Sequence, residues 1–164
     1  VWQGREIVSG AGPIGPTPTT AGGPQLLAGA MGPKSIARCA HWADGLYAWS
    51  ANGEEQELSR AFAMADAAWE QAERPEKPFR MGGFWYSLAD NGQQKLYDYV
   101  YEYLDIAGPE IATMMAESVH RSSPDAVKEG LDNAAAAGCE EVFLVPATAE
   151  LAEVERLGDL LAGR

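Results

Sequence analysis

The stretch Leu26-Leu-Ala-Gly-Ala-Met-Gly-Pro-Lys-Ser-Ile-Ala-Arg-Cys-Ala-His-Trp-Ala-Asp-Gly-Leu-Tyr-Ala-Trp-Ser50 decides the fold. Leu26 to Ala30 is an apolar run between Pro24 and Gly32, the composition of a strand buried on both faces. Gly32-Pro33 then opens a helix, because proline's missing N–H is no loss at the first helical position and the glycine before it permits a tight turn. Ile36, Ala40 and Ala43 recur at helical spacing and face the sheet, while Lys34, Arg38 and His41 point elsewhere. Asp44-Gly45 ends the helix, with Gly45 expected in the left-handed conformation, and Leu46 to Trp49 forms the next strand. Strand, one-helix crossover and strand make a βαβ unit, which is expected to be parallel and right-handed.

The chemistry of this unit lies at its turn. A helix start presents N–H groups and the positive end of a dipole to whatever sits beyond the strand. Gly32 lets an anion approach the backbone closely, and Lys34 adds a mobile positive charge. The same glycine-proline start also occurs in α/β proteins that bind nothing there.

Bulk properties narrow the function. With 164 residues and 46% hydrophobic content the chain can build one domain (1–164) around a real core, with 1–24 as a lead-in loop and 25–164 as βα units. A formal charge of -12 argues against nucleic acid, which requires a basic face. No apolar run approaches membrane-spanning length, and nothing in the opening residues reads as a signal peptide. Cys39 and Cys139 are far apart and outside any Cys-x-x-Cys spacing, which reads as two buried free thiols of a cytoplasmic protein. The two histidines are far apart and lack carboxylates at ligand spacing, so no metal site is expected.

Along the chain, residues 9–24 are rich in Gly, Pro and Thr and read as loop. Gly10-Ala-Gly-Pro-Ile-Gly15 matches the dinucleotide pattern in letters only, since Pro16-Thr-Pro18 forbids the helix that pattern needs. A helix is expected from about Glu54 to Glu73, with Leu58, Phe62, Ala65, Trp69 and Ala72 as its apolar stripe. Phe79 to Leu88 reads as a third strand interrupted at Gly82-Gly83 by a bulge or a close approach. Gly92 to Ile106 is a helix dense in tyrosine (Tyr97, Tyr99, Tyr101, Tyr103), suited either to a protein surface or to a place under a loop. A short helix through Met114-Met115 reads as a lid. Ser122 or Ser123 caps a helix with Val127, Leu131, Ala134 and Ala135 inward and Gly138 at its end. Val142 to Val145 is a fourth strand, and Leu151, Val154, Leu157 and Leu161 line a closing helix.

Three segments, in order, resemble the luciferase-like monooxygenase family. Gly32-Pro-Lys-Ser-Ile-Ala-Arg-Cys-Ala-His-Trp-Ala-Asp-Gly45 is similar to that family's Gly-Pro/Ser…A-x-x-A-D-G stretch. Val1-Trp-Gln-Gly, Pro16-Thr-Pro and Gly22-Gly-Pro resemble its proline-rich lead, and Ala137-Gly-Cys-Glu-Glu-Val-Phe-Leu-Val-Pro-Ala-Thr-Ala resembles its last barrel strand with the loop after it. The resemblance implies a (β/α)8 barrel and hydride transfer or oxygenation on a flavin-type cofactor, FMN or deazaflavin, acting on a small-molecule substrate. It places Ala30, Met31, Gly32, Pro33 and Lys34 along the cofactor, with Trp49 and Ser50 approaching cofactor or substrate, and it assigns no catalytic acid or base. Only four strand-helix units are present, whereas a closed barrel needs eight strands and about 250 residues. The fold expected is therefore α/β, the C-terminal half of such a barrel, leaving two unpaired edges. Its partner is then a missing N-terminal half-barrel or a second copy. The alternative is a non-catalytic half-barrel acting as a subunit.

Overall fold

In a computed structural model, residues 15–163 are described. The lead segment Val1-Trp-Gln-Gly and most of the glycine pattern at 10–15 lie outside them. Four parallel strands form one sheet in sequence order: β1 (Leu27–Ala28), β2 (Gly45–Trp49), β3 (Phe79–Tyr86) and β4 (Glu141–Pro146). The helices are α1 (Pro33–Cys39), α2 (Glu55–Gln71), α3 (Gly92–Leu104), α4 (Pro109–Ser118), α5 (Pro124–Ala136) and α6 (Leu151–Ala162). This is an α/β fold, and a parallel sheet in sequence order with alternating helices is the arrangement of half a (β/α)8 barrel.

The strand register sorts side chains onto two faces. Ala48 pairs with Gly82 and Gly82 with Val142, on the face that carries Leu46 and meets α1, α2 and α5. There Ile36, Leu58, Phe62, Ala65, Trp69 and Ala134 build the main core. The opposite face carries Tyr47, Trp49, Gly83, Trp85 and Phe143. At its carboxyl end Trp85 packs in a second core with Leu96 and Val100 of α3 and Ala116 of α4. The α3–α4 hairpin is thus an insertion after β3, and α5 leads back to β4.

Several expectations change in detail. β1 is only Leu27–Ala28 and Leu26 is 49% exposed, because β1 is an edge with β2 as its neighbour among the described residues. α1 ends at Cys39, yet Ile36, Ala40 and Ala43 are all fully buried as the spacing requires. Gly45 is not left-handed. It is the first residue of β2, where a side chain would collide with the Phe79 carbonyl oxygen and lie 2.7 Å from Phe79 Cβ. β3 runs through Gly82-Gly83 without a bulge. Those glycines make room for neighbours: a Cβ on Gly82 would meet Cys139 Sγ at 2.7 Å, and one on Gly83 would overlap the Tyr47 ring.

Downstream, Ser123 is the residue that caps α5, accepting from the Ala126 N–H at 3.2 Å, and Gly138 ends the helix at φ 83°. Ala135 is exposed, and Gly130 lies inward in its place. The stripe of α6 is not covered: Leu151 is 71% and Val154 53% exposed, and the buried residue of that helix is Glu153. Cys39 and Cys139 are free and half-buried. Burial pushes the Cys139 thiol up to about 11, with Arg80 opposing, so it stays an unreactive thiol. No helix of the described residues is long and apolar enough to cross a membrane.

Candidate functional site

The carboxyl ends of β1 and β2 open onto a cavity of about 290 Å³. Ala30 and Met31 line it from the turn after β1, and Ala48, Trp49, Ser50 and Ala51 from the end of β2. Four of the seven residues singled out from the sequence therefore meet at one place. Gly32, Pro33 and Lys34 do not line this cavity; they stand on the first turn of α1, with Pro33 and Lys34 exposed.

The rest of the wall comes from Glu57, Arg60, Ala61 and Met64 of α2, which the sequence did not single out, and from Met115 of α4. Positions 57, 60, 61 and 64 share one helical face, beside the core stripe of Leu58, Phe62 and Ala65, so the spacing itself was the available signal. Met115 brings the α3–α4 hairpin to the cavity wall.

Ser50 has a structural duty as well. Its hydroxyl donates to Glu57 Oε2 at 2.6 Å and accepts from the Glu54 N–H at 2.9 Å, which closes the first turn of α2. With both bonds made, Ser50 presents its position rather than a free hydroxyl. Trp49 is half-buried, its ring edge-on to Trp85 at 4.7 Å between centroids. Among the described residues Arg60 is the one cation of the wall and Glu57, already bonded to Ser50, its one anion.

Behind the cavity a buried arginine ties three elements together. Arg121 is 1% exposed; its Nε donates to the Asn52 carbonyl at 2.6 Å and its Nη1 to the Ala126 carbonyl at 3.1 Å. The same group pairs with Glu129 of α5 at 2.6 Å and Glu54 at 3.1 Å. Asn52 donates from its side-chain amide to the Ser118 carbonyl and accepts from the His120 N–H, each at 3.0 Å. The turn after β2 and the exit of the α3–α4 hairpin are thereby bolted to each other.

A second buried charge lies at the ends of β3 and β4. Glu153, wholly buried in the first turn of α6, accepts a hydrogen bond from the Leu88 N–H, and Arg156 stands 3.7 Å from its other oxygen. Burial first, and the Glu153 charge second, push the Tyr86 phenol up to about 12. The unfolded chain releases that proton near pH 10 while the folded one holds it, so this stability is full below pH 10 and is lost as pH rises toward 12. Tyr86→Phe is expected to flatten that alkaline loss, measured as the fall in melting temperature between pH 9 and pH 12 relative to the unaltered protein. An equal fall in both proteins contradicts it. Among the described residues no group of His, Cys, Asp or Glu is arranged to hold a metal ion.

No protein-family model matches the sequence, and no curated protein matches it. Solved structures do. An F420-dependent secondary alcohol dehydrogenase, in complex with an F420-acetone adduct, aligns with a TM-score of 0.56 at 15% identity, over 77% of this chain and 44% of that one. The coenzyme F420 dependent tetrahydromethanopterin reductase of Methanopyrus kandleri aligns with a TM-score of 0.51 at 13% identity, over 73% and 44%. The monooxygenase RslO1 of Streptomyces bottropensis aligns with a TM-score of 0.54 at 17% identity, over 86% and 47%. At these identities the likeness is one of fold, and it is the fold that the resemblance in the sequence implied. The chain spans about half the length of the structures it matches.

Proposed function

We propose that this chain forms part of the cofactor and substrate site of an oxidoreductase or monooxygenase that uses a flavin-type cofactor, FMN or deazaflavin, on a small organic substrate. The observation that carries the reading is the cavity at the carboxyl ends of β1 and β2, the face on which barrels of this type bind their ligands. F420 appears in the names of two of the proteins that share the fold.

The cavity's chemistry fits such a group. Ala30, Ala48, Ala51 and Ala61 leave room, the thioethers of Met31, Met64 and Met115 give adaptable apolar surface, and Arg60 offers charge to an anionic tail. At about 290 Å³ it stands at the lower end of ligand cavities (roughly 300–1,000 Å³), so it takes one portion of a cofactor and not the whole. When bound, the cofactor supplies hydride or oxygen chemistry. The residues here bind, orient and exclude water, with Trp49 and Met115 as large apolar parts of the wall. No acid or base is assigned among them.

The remaining walls belong to further βα units that pair with β1 and β4. Each of those strands has one neighbour among the described residues, and Phe143 of β4 is 58% exposed on the face shared with Trp49. That exposure also favours a second reading, a half-barrel whose work is to bind a partner chain, whether a second copy or the other half.

Fluorescence titration with FMN and with F420 tests the cofactor reading. Arg60 is an exposed cation on the cavity wall, so Arg60→Gln removes its charge from the site and leaves the core untouched. It is expected to weaken binding at least tenfold. Binding of unchanged affinity removes Arg60 from the site.

A further inference from the structure

Six aromatic rings run in unbroken contact across one face of the sheet and onto α3. Trp49 lines the cavity. It meets Trp85 at 4.7 Å, and Trp85 meets Tyr103 at 5.8 Å and Tyr99 at 6.5 Å, all edge-on. Tyr99 and Tyr103 stack on each other at 6.2 Å. Tyr47 touches Trp49 at 6.2 Å and Phe143 at 6.5 Å. Such spacings are ordinary for packed aromatic pairs. What is particular is the order: two indoles lead from the cavity wall to phenols, and Tyr103 at the far end is 61% exposed.

Indole and phenol are the side chains that give up one electron most readily, and electron tunnelling falls off exponentially with the distance between rings. Rings in contact therefore pass an electron faster than any longer route. We propose that Trp49, Trp85 and the Tyr99–Tyr103 pair form an electron relay that drains one-electron oxidation from the cavity to the surface. The oxidant is an oxygen-centred radical of the peroxyl class formed at the cavity. It takes an electron from the Trp49 indole, Trp85 refills Trp49, and the Tyr103 phenol refills Trp85 while releasing its proton to water. The peroxyl radical with that electron and a proton becomes a hydroperoxide, and the tyrosyl radical left at the surface is reduced by a soluble thiol. Tyr47 is half-buried where Tyr103 is exposed, so it has less water to take the proton that its oxidation releases. The use of such a relay rests on the oxidoreductase reading; its geometry does not.

The test needs no cofactor, so its failure is separate from a failure of cofactor binding. Azide radical from pulse radiolysis oxidises indoles in the whole chain carrying Trp2→Phe and Trp42→Phe. This removes the 55% exposed Trp42, and the 2% exposure of Trp69 shields that ring from the radical. The indolyl absorbance is expected to decay as tyrosyl absorbance grows, at a first-order rate independent of protein concentration. Trp85→Phe keeps an aromatic ring in place but cannot be oxidised, and is expected to slow that growth at least tenfold. Tyr99→Phe with Tyr103→Phe is expected to abolish it. Absence of tyrosyl growth in the starting protein, or growth unaltered by either set of phenylalanines, overturns the relay.

Discussion

Arg121→Ala is expected to destabilise the protein by about 3 kcal/mol, seen as a lower urea midpoint with an unchanged slope. The side chain is 1% exposed and serves two backbone carbonyls, those of Asn52 and Ala126, as well as two carboxylates. Removing it leaves buried acceptors without donors, which costs more than an ordinary hydrogen bond returns. The carboxylates matter less: Glu129 is 66% and Glu54 43% exposed, and water replaces the arginine for both. Arg121→Lys is expected to recover little, because one ammonium cannot span the Asn52 and Ala126 carbonyls as a planar fork does. A midpoint equal to that of the unaltered protein contradicts the bolt assigned to this residue.

Gly45→Val has the other large expected effect, a loss of about 3 kcal/mol or more. At the start of β2 a side chain would run into the Phe79 carbonyl oxygen and lie 2.7 Å from Phe79 Cβ and 2.9 Å from Leu27 Cδ2. The oxygen is backbone and cannot rotate away, so β1 or β3 must move and the ladder of the three strands is damaged together. Denaturant unfolding reads this directly, and a variant as stable as the parent contradicts the tight strand spacing.

These two residues mark where sequence reasoning stopped. The order strand, helix, strand in 26–50 was legible because Ile36, Ala40, Ala43 and Leu46 carry their own periodicity, and all four are fully buried. Gly45 was legible as a glycine that matters but not as a strand residue, since a helix stop and a strand entry one residue apart share the same letters. Gly82 and Gly83 answer to Cys139 and Tyr47, residues distant along the chain, so no local pattern distinguishes their packing from a bulge. Arg121 stands between α4 and α5, where no local pattern marks it for burial. Its burial arises from the Asn52 turn and the first turn of α5 converging on it, which is a property of the tertiary fold.

The same logic applies to the candidate site. Ala30, Met31, Trp49 and Ser50 were singled out by the family resemblance, and they line one cavity because the carboxyl ends of parallel strands open onto one face. Glu57, Arg60, Ala61 and Met64 were hidden beside a stronger core stripe on the same helix. The apolar stripe of α6 was visible in the sequence, but its exposure depends on what lies on its far side, and no helix periodicity records that.

The account stands most directly on cofactor binding. Equilibrium titration of the chain with FMN and, separately, with F420 is expected to give saturable binding of at least one, micromolar or weaker, with quenching of tryptophan fluorescence that Trp49→Phe reduces. Titrations that show no saturable binding of either cofactor contradict the site at the ends of β1 and β2.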